Sequence, residues 1–185
     1  MRAFIAIDLS ADIKDNLAAL VNHLKPLAKN IKWTARENYH LTLKFLGEIS
    51  ESEMEDVKKS LAEITGRYQS FTLRLKGTGS FPPGSNRMRI IWAGLTEIDR
   101  LLSLQEEIEI ELEKKGFPRE NRPFSPHLTI GRAKQPEKQE RLASELAKNN
   151  ELELGSMEVR EIIFFQSILH PEGPEYRVLS RHPLA

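Results

Sequence analysis

The sequence predicts an α+β fold: two mostly antiparallel sheets flanked by helices, in a bilobal, pseudo-two-fold arrangement with a central cleft. Three observations predict it. Strand and helix patterns follow the order βαββαβ and then βαβαββ, so the chain carries two similar halves. Several strands alternate apolar with polar residues, as a sheet with one covered and one wet face does. The tetrad His40-Leu41-Thr42-Leu43 recurs as His127-Leu128-Thr129-Ile130. Side chains alternate along a strand, so each copy presents an imidazole beside a hydroxyl and buries an aliphatic pair. At 185 residues the chain has the size of one domain, 1–185, made of two similar lobes whose strands can interleave.

The elements follow in order. Phe4 to Ile7 is a buried strand. Ser10 caps a helix from Ala11 to about Lys29, with Ile13, Leu17, Leu20, Val21 and Leu24 on one face and Pro26 shortening its end. Ile31 to Thr34 is a short strand, and Arg36-Glu37-Asn38 turns into the first tetrad strand, Tyr39 to Leu46. Ser50 or Ser52 caps the second helix, Glu53 completing a capping box with Ser50; Met54, Val57, Leu61 and Ile64 form its inner stripe and Gly66 ends it. Phe71 to Lys76 alternates as a strand, Gly77 to Asn86 is a Gly/Pro/Ser-rich loop, and Met88 to Leu95 is a further strand. Glu97 to about Lys115 is an acidic helix stopped by Gly116 and Pro118. A proline-rich approach, Arg122 to Pro126, leads into the second tetrad strand. Glu137 to Ala147 is an amphipathic helix, Gly155 to about Leu169 contains one long strand, and Tyr176 to Arg181 is the last strand after a turn at Pro171-Glu172-Gly173-Pro174.

Composition narrows the function. Lysine plus arginine and aspartate plus glutamate each number 27, so the chain as a whole is no general polyanion binder. Charge is segregated, however. No acid lies between Ile64 and Thr96, nor in Asn38 to Gly47 or Asn121 to Pro136, while acids gather on helices at Glu106, Glu107, Glu109, Glu111 and Glu113. The cleft is therefore expected to be electropositive, with Tyr39, Phe81, Trp92 and Phe124 available for base stacking. With no cysteine there are no disulfides, thiolate metal sites or cysteine nucleophiles, which suits a cytoplasmic protein. The opening apolar run is too short for a signal peptide or membrane span.

Two histidines in one cleft can serve as a proton donor and a proton acceptor near neutrality, in either assignment. Thr42 and Thr129, on the same faces, can donate to phosphate oxygens. Arg132 is a further phosphate candidate if a bulge at Gly131 re-aims it, and Lys44, on the His40 face, is another. His23, His170 and His182 read as structural or surface residues. Neither tetrad strand carries the additional ligands of a metal site, so no metal and no cofactor is expected.

Two H-x-T-x tetrads resemble the signature of the 2H phosphoesterases. The context Glu37-Asn38-Tyr39-His40-Leu41-Thr42-Leu43-Lys44-Phe45-Leu46-Gly47, the opening Arg2-Ala3-Phe4-Ile5-Ala6-Ile7, the Phe81-Pro82 loop leading to Ile91-Trp92-Ala93-Gly94, and Pro126-His127-Leu128-Thr129-Ile130-Gly131-Arg132 resemble the RNA 2′,3′-cyclic phosphodiesterases, also called 2′-5′ RNA ligases. The resemblance implies hydrolysis of RNA ends bearing a 2′,3′-cyclic phosphate, tRNA-derived ends included, to 2′-phosphomonoesters, with reversible 2′-5′ ligation. It makes His40 the proton donor and His127 the proton acceptor, and it requires no metal. A monomer in the cytoplasm acting on RNA is expected. Two alternatives are a module that binds RNA ends without catalysis and a phosphodiesterase acting on a small cyclic nucleotide.

Overall fold

Nine strands and four helices, described for all residues from Met1 to Ala185, make up the computed structural model. The strands are β1 (Arg2–Asp8), β2 (Ile31–Trp33), β3 (His40–Glu48), β4 (Phe71–Phe81), β5 (Ile90–Thr96), β6 (Leu128–Ala133), β7 (Glu153–Val159), β8 (Glu161–His170) and β9 (Gly173–Pro183). The helices are α1 (Ala11–Leu24), α2 (Glu51–Thr65), α3 (Asp99–Glu113) and α4 (Glu140–Lys148). One sheet has the order β3-β1-β8-β9 and the other β2-β6-β5-β4-β7, and every pairing is antiparallel.

Neither sheet is a sequence half. The four-stranded sheet takes its strands from both ends of the chain, and the five-stranded sheet fills in between. The region expected to hold one long strand is two: β7 closes the five-stranded sheet, and after Arg160 the chain crosses to form β8 at the centre of the other. Helices α2 and α3 pack on the four-stranded sheet, α1 and α4 on the five-stranded one. Their apolar stripes meet the inner faces of both sheets in one continuous core. Fully burying each such Leu, Ile or Phe is worth roughly 1.5–3 kcal/mol.

The helix starts follow the sequence. Ser10 accepts from the Ile13 N–H, and Ser50 with Glu53 forms both bonds of the capping box. Strand β4 departs from expectation. It continues through Gly77 to Phe81 because its glycines serve the ladder: a Cβ on Gly79 would sit 2.2 Å from Trp92 Cζ2 on β5. A glycine that reads as loop is here the room a neighbouring indole occupies.

Lys44 also departs from expectation. The β1–β3 register slips between Ile5 and Ala6, so Leu43 is an extra, bulged residue and the two-residue alternation breaks there. His40 and Thr42 stay on the open face, but Lys44 turns into the protein and is 3% exposed. Its ammonium donates to Glu109 Oε2 at 2.7 Å and to the Pro118 carbonyl at 2.9 Å. Gln105 donates to Glu109 Oε1 and to the Leu43 carbonyl, completing a satisfied buried network. Lys44 is thus a clamp between β3, α3 and the segment leading to β6, its charge paired with Glu109 and not presented on the open face that strict alternation predicts for it.

Removing one partner of such a pair strands a buried charge. Lys44→Ala is expected to cost about 3–5 kcal/mol in urea unfolding, and Lys44→Met with Glu109→Leu to cost less than that single change. A loss below about 1 kcal/mol for Lys44→Ala would show that water already solvates Glu109.

Candidate active site

His40 opens β3. Tyr39 and Leu41 on either side point into the core, so the imidazole and Thr42 share the opposite face. Its Nδ1 lies 2.7 Å from the Asn38 carbonyl oxygen. A carbonyl only accepts, so Nδ1 carries the hydrogen and Nε2 is left as the working nitrogen. Nε2 is 2.9 Å from Thr42 Oγ1. Phe4 and Tyr176 stand 5.0 and 5.1 Å from the ring centroid, Tyr176 edge-on, and Phe165 lies at 6.5 Å. Burial among these rings holds the His40 pKa below its ordinary value of 6.5, partly opposed by the Asn38 bond and by Asp8.

His127 sits one residue before β6 and repeats the arrangement. Its Nδ1 is 2.8 Å from the Ser125 carbonyl, again two residues earlier, so Nε2 is again the free nitrogen. Phe81 meets the ring edge-on at 5.1 Å. Leu128 and Ile130 are buried and Thr129 faces the same side as the histidine. Thr34, following β2, ties this end of β6 with its N–H on the Ile130 carbonyl and its hydroxyl on the Thr129 carbonyl. The copies differ in two respects. Three aromatic rings crowd His40 but one meets His127, and Thr42 engages the Nε2 of His40 while that of His127 has no hydrogen-bond partner.

Both tetrads open onto one cavity of about 1170 Å³, lined by His40, Thr42, His127, Thr129 and Arg132 among others. Arg132 reaches it because the β5–β6 register slips between Ile91 and Trp92, leaving Ile130 bulged. The chain thereby resumes with Arg132, not Gly131, on the open face. The guanidinium is exposed, makes no ion pair, and its charge partly offsets the burial that raises the Tyr176 pKa on the opposite sheet. Arg2 and Arg122 also line the cavity without ion pairs; of its acids, Glu106 and Glu109 are taken up by Arg119 and Lys44, and Glu120 is left unpaired against the three free arginines. The cleft thus holds uncompensated positive charge on a protein of zero net charge.

The aromatic expectations divide. Phe81 and Phe124 line the cavity; Tyr39 is buried in the core, and Trp92 lies behind Phe81 with its indole N–H buried and unpartnered. Sequence reasoning missed Phe4, Phe45, Phe165 and Tyr176. Phe4 and Ala6 alternate with Ile5 and Ile7, so two faces were present in β1, but a wholly apolar strand shows no polarity to tell them apart. Of the other histidines, His23 bonds Glu145 and His170 bonds Glu175 at the surface, and His182 is buried beside Ser180.

The model of the LigT-like phosphoesterase family matches residues 7–92 and 95–176. This chain belongs to the LigT-like phosphoesterases. It is 33% identical over 176 residues to an RNA 2′,3′-cyclic phosphodiesterase of Methanothermobacter thermautotrophicus, covering 95% of each chain. It is 36% identical over 179 residues to the protein of that name from Methanocaldococcus jannaschii, covering 97% of this chain and 98% of that one. Among solved LigT-like structures, the crystal structure of Escherichia coli LigT complexed with 3′-AMP superposes with a TM-score of 0.80 at 27% identity, covering 99% of this chain and 97% of that one. A Thermus thermophilus protein superposes with a TM-score of 0.84 at 28% identity, covering 100% and 98%.

In this phosphoesterase His40 is expected to titrate below 6.5 by NMR, and Phe165→Ala, which admits water, to move the midpoint upward. Titration at or above 6.5 in the unsubstituted protein would contradict the buried environment. His182 is lowered for the same main reason, with Lys58 contributing. With both folded-state values below the unfolded one, the unfolded chain binds protons first. Stability from this source is therefore present above about pH 6.5 and declines as pH falls through the lowered values.

Proposed function

We propose that this chain hydrolyses the 2′,3′-cyclic phosphate at RNA ends to a 2′-phosphomonoester, with His127 as proton acceptor and His40 as proton donor. The observation that carries the reading is the duplicated tether. Each imidazole gives its Nδ1–H to a backbone carbonyl, leaving Nε2 free for chemistry, and lines the same cavity together with the threonine of its tetrad.

Nε2 of His127, free of any partner, takes a proton from water as the water oxygen attacks phosphorus. The bond from phosphorus to the 3′-oxygen breaks, and Nε2–H of protonated His40 delivers a proton to that oxygen. The products are a 3′-hydroxyl and a 2′-phosphate. Thr42 and Thr129 hydroxyls donate to the non-bridging oxygens, and Arg132 adds positive charge where negative charge builds. His40 leaves the turnover neutral and His127 protonated, and exchange with solvent resets both. A ribose 5′-hydroxyl in place of water would give a 2′-5′ linkage, and reversal of that ligation exchanges the roles of the two histidines.

The names of the archaeal relatives support the substrate class, and the LigT complex with 3′-AMP supports a nucleotide in this cleft. The cavity volume exceeds the roughly 300–1,000 Å³ of typical small-molecule pockets, which favours an RNA end over a lone cyclic nucleotide. The unpaired arginines favour the same choice. Both proton transfers are assigned to imidazoles, so the reaction needs no added metal. The reading is of a monomer acting on RNA in the cytoplasm.

The test is product analysis on an oligonucleotide ending in a 2′,3′-cyclic phosphate. A 2′-phosphate is expected, formed equally in the presence of chelator. His40→Ala or His127→Ala is expected to lower kcat by about 10²–10⁴-fold while RNA still binds. A 3′-phosphate product, or turnover undiminished by either substitution, would overturn the mechanism. Binding without turnover in the unsubstituted protein would establish a non-catalytic RNA-end module instead.

A further inference from the structure

Lys32 stands directly opposite Arg132 across the β2–β6 ladder. Residues opposite each other in an antiparallel pair point to the same side. Thr34, two residues beyond Lys32, and Ile90, opposite Arg132 on β5, both line the cavity, so Lys32 and Arg132 project from the cleft face. Trp33 and Ile31 pack inward, and Lys32 is exposed. Like charges directly opposite each other on a sheet destabilise it. Several other strand cations are neutralised: Arg74 pairs with Glu97 and Glu153, Arg177 with Glu175, and Arg181 with Glu161. Neither Lys32 nor Arg132 has such a partner. The acid of the adjoining segment, Glu137, is turned away onto Asn30 and Gln135.

The positions also differ in depth. The charge of Arg132 is felt at Tyr176, whose ring is 5.1 Å from His40, so it lies toward the reacting groups. Lys32 is one strand further out, about 4.8 Å along the hydrogen-bonding direction, on the edge strand where the cleft opens. Lys134, two residues past Arg132 and also without an ion pair, extends the same basic edge.

Resting on the reaction proposed above, we infer that Lys32, set outward of Arg132 on the edge strand, provides a second phosphate subsite, which holds the phosphodiester on the 5′ side of the terminal, cyclised nucleotide while Arg132 stays with the reacting phosphate. This makes Lys32 a specificity residue: it distinguishes an RNA end from a free cyclic nucleotide, which has no second phosphate.

The test compares a mononucleoside 2′,3′-cyclic phosphate with a dinucleotide that ends in the same group. Lys32→Gln is expected to raise KM for the dinucleotide about three- to tenfold with kcat unchanged, and to leave the mononucleotide unaffected. The dependence of log kcat/KM on log salt for the dinucleotide is expected to flatten by about one. Lys32→Arg retains the discrimination. A lysine that only guards the sheet edge would change neither substrate, and that result, or an equal change in both, would overturn the subsite. If the unsubstituted protein turned over neither substrate, the proposed reaction would fail, and the subsite would be read from equilibrium binding. There, the 2′-phosphorylated dinucleotide is expected to bind more tightly with a phosphodiester link than with a neutral methylphosphonate link. Lys32→Gln is expected to abolish that difference, and a difference it left unmoved would overturn the subsite.

Discussion

The arrangement depends on one hydrogen bond made twice, from an imidazole Nδ1–H to the backbone carbonyl two residues before it. An imidazole on a strand can rotate and can carry its hydrogen on either nitrogen. A carbonyl acceptor at Nδ1 removes both freedoms and leaves Nε2 as the one nitrogen able to exchange a proton with a ligand. The alternation of the tetrads then places a threonine on the same face as each histidine. The rest of the fold serves to oppose these two strand ends. β3 and β6 lie in different sheets, and the crossing at Arg160 sews the sheets together. The buried Lys44–Glu109 pair and its bond to the Pro118 carbonyl fix the approach to His127 against the strand that carries His40.

The duplication is not a copy in chemistry. His40 is packed among Phe4, Phe165 and Tyr176, which raises the cost of charging it, and its Nε2 is occupied by Thr42. His127 is met by one ring and its Nε2 is unengaged. Equivalent residues thus stand in unequal surroundings, and at His40 burial lowers the affinity of the ring for a proton. An anionic substrate beside His40 would favour its charged form, so the group best desolvated in the free protein is the one most altered by binding.

What the chain states openly is local. The tetrads, the caps at Ser10 and Ser50 and the helical stripes depend on spacings of two to four residues, and their residues lie where those spacings put them. What it hides is non-local. The pairing of β1 with β8 joins the two ends of the chain, and no local spacing announces it. The bulges are hidden too. One slip at Leu43 turns Lys44 from the open face into the core, while one at Ile130 brings Arg132 out. Gly131 gave a hint of the second; nothing near Leu43 hinted at the first. Phe4, Phe165 and Tyr176 went unread as site residues because apolar side chains lining a cleft and apolar side chains filling a core have the same composition.

The central claim is that His40 and His127, on separate sheets, act as one unit on one phosphate. A double-mutant cycle on kcat for a cyclic-phosphate RNA end measures this directly. If the two imidazoles work in a single transition state, His40→Ala and His127→Ala each lose nearly as much as the double substitution, and the effects are far from additive. Losses that multiply, so that the double variant falls by the product of the two single effects, would contradict the account and show two independent contributions in place of one site.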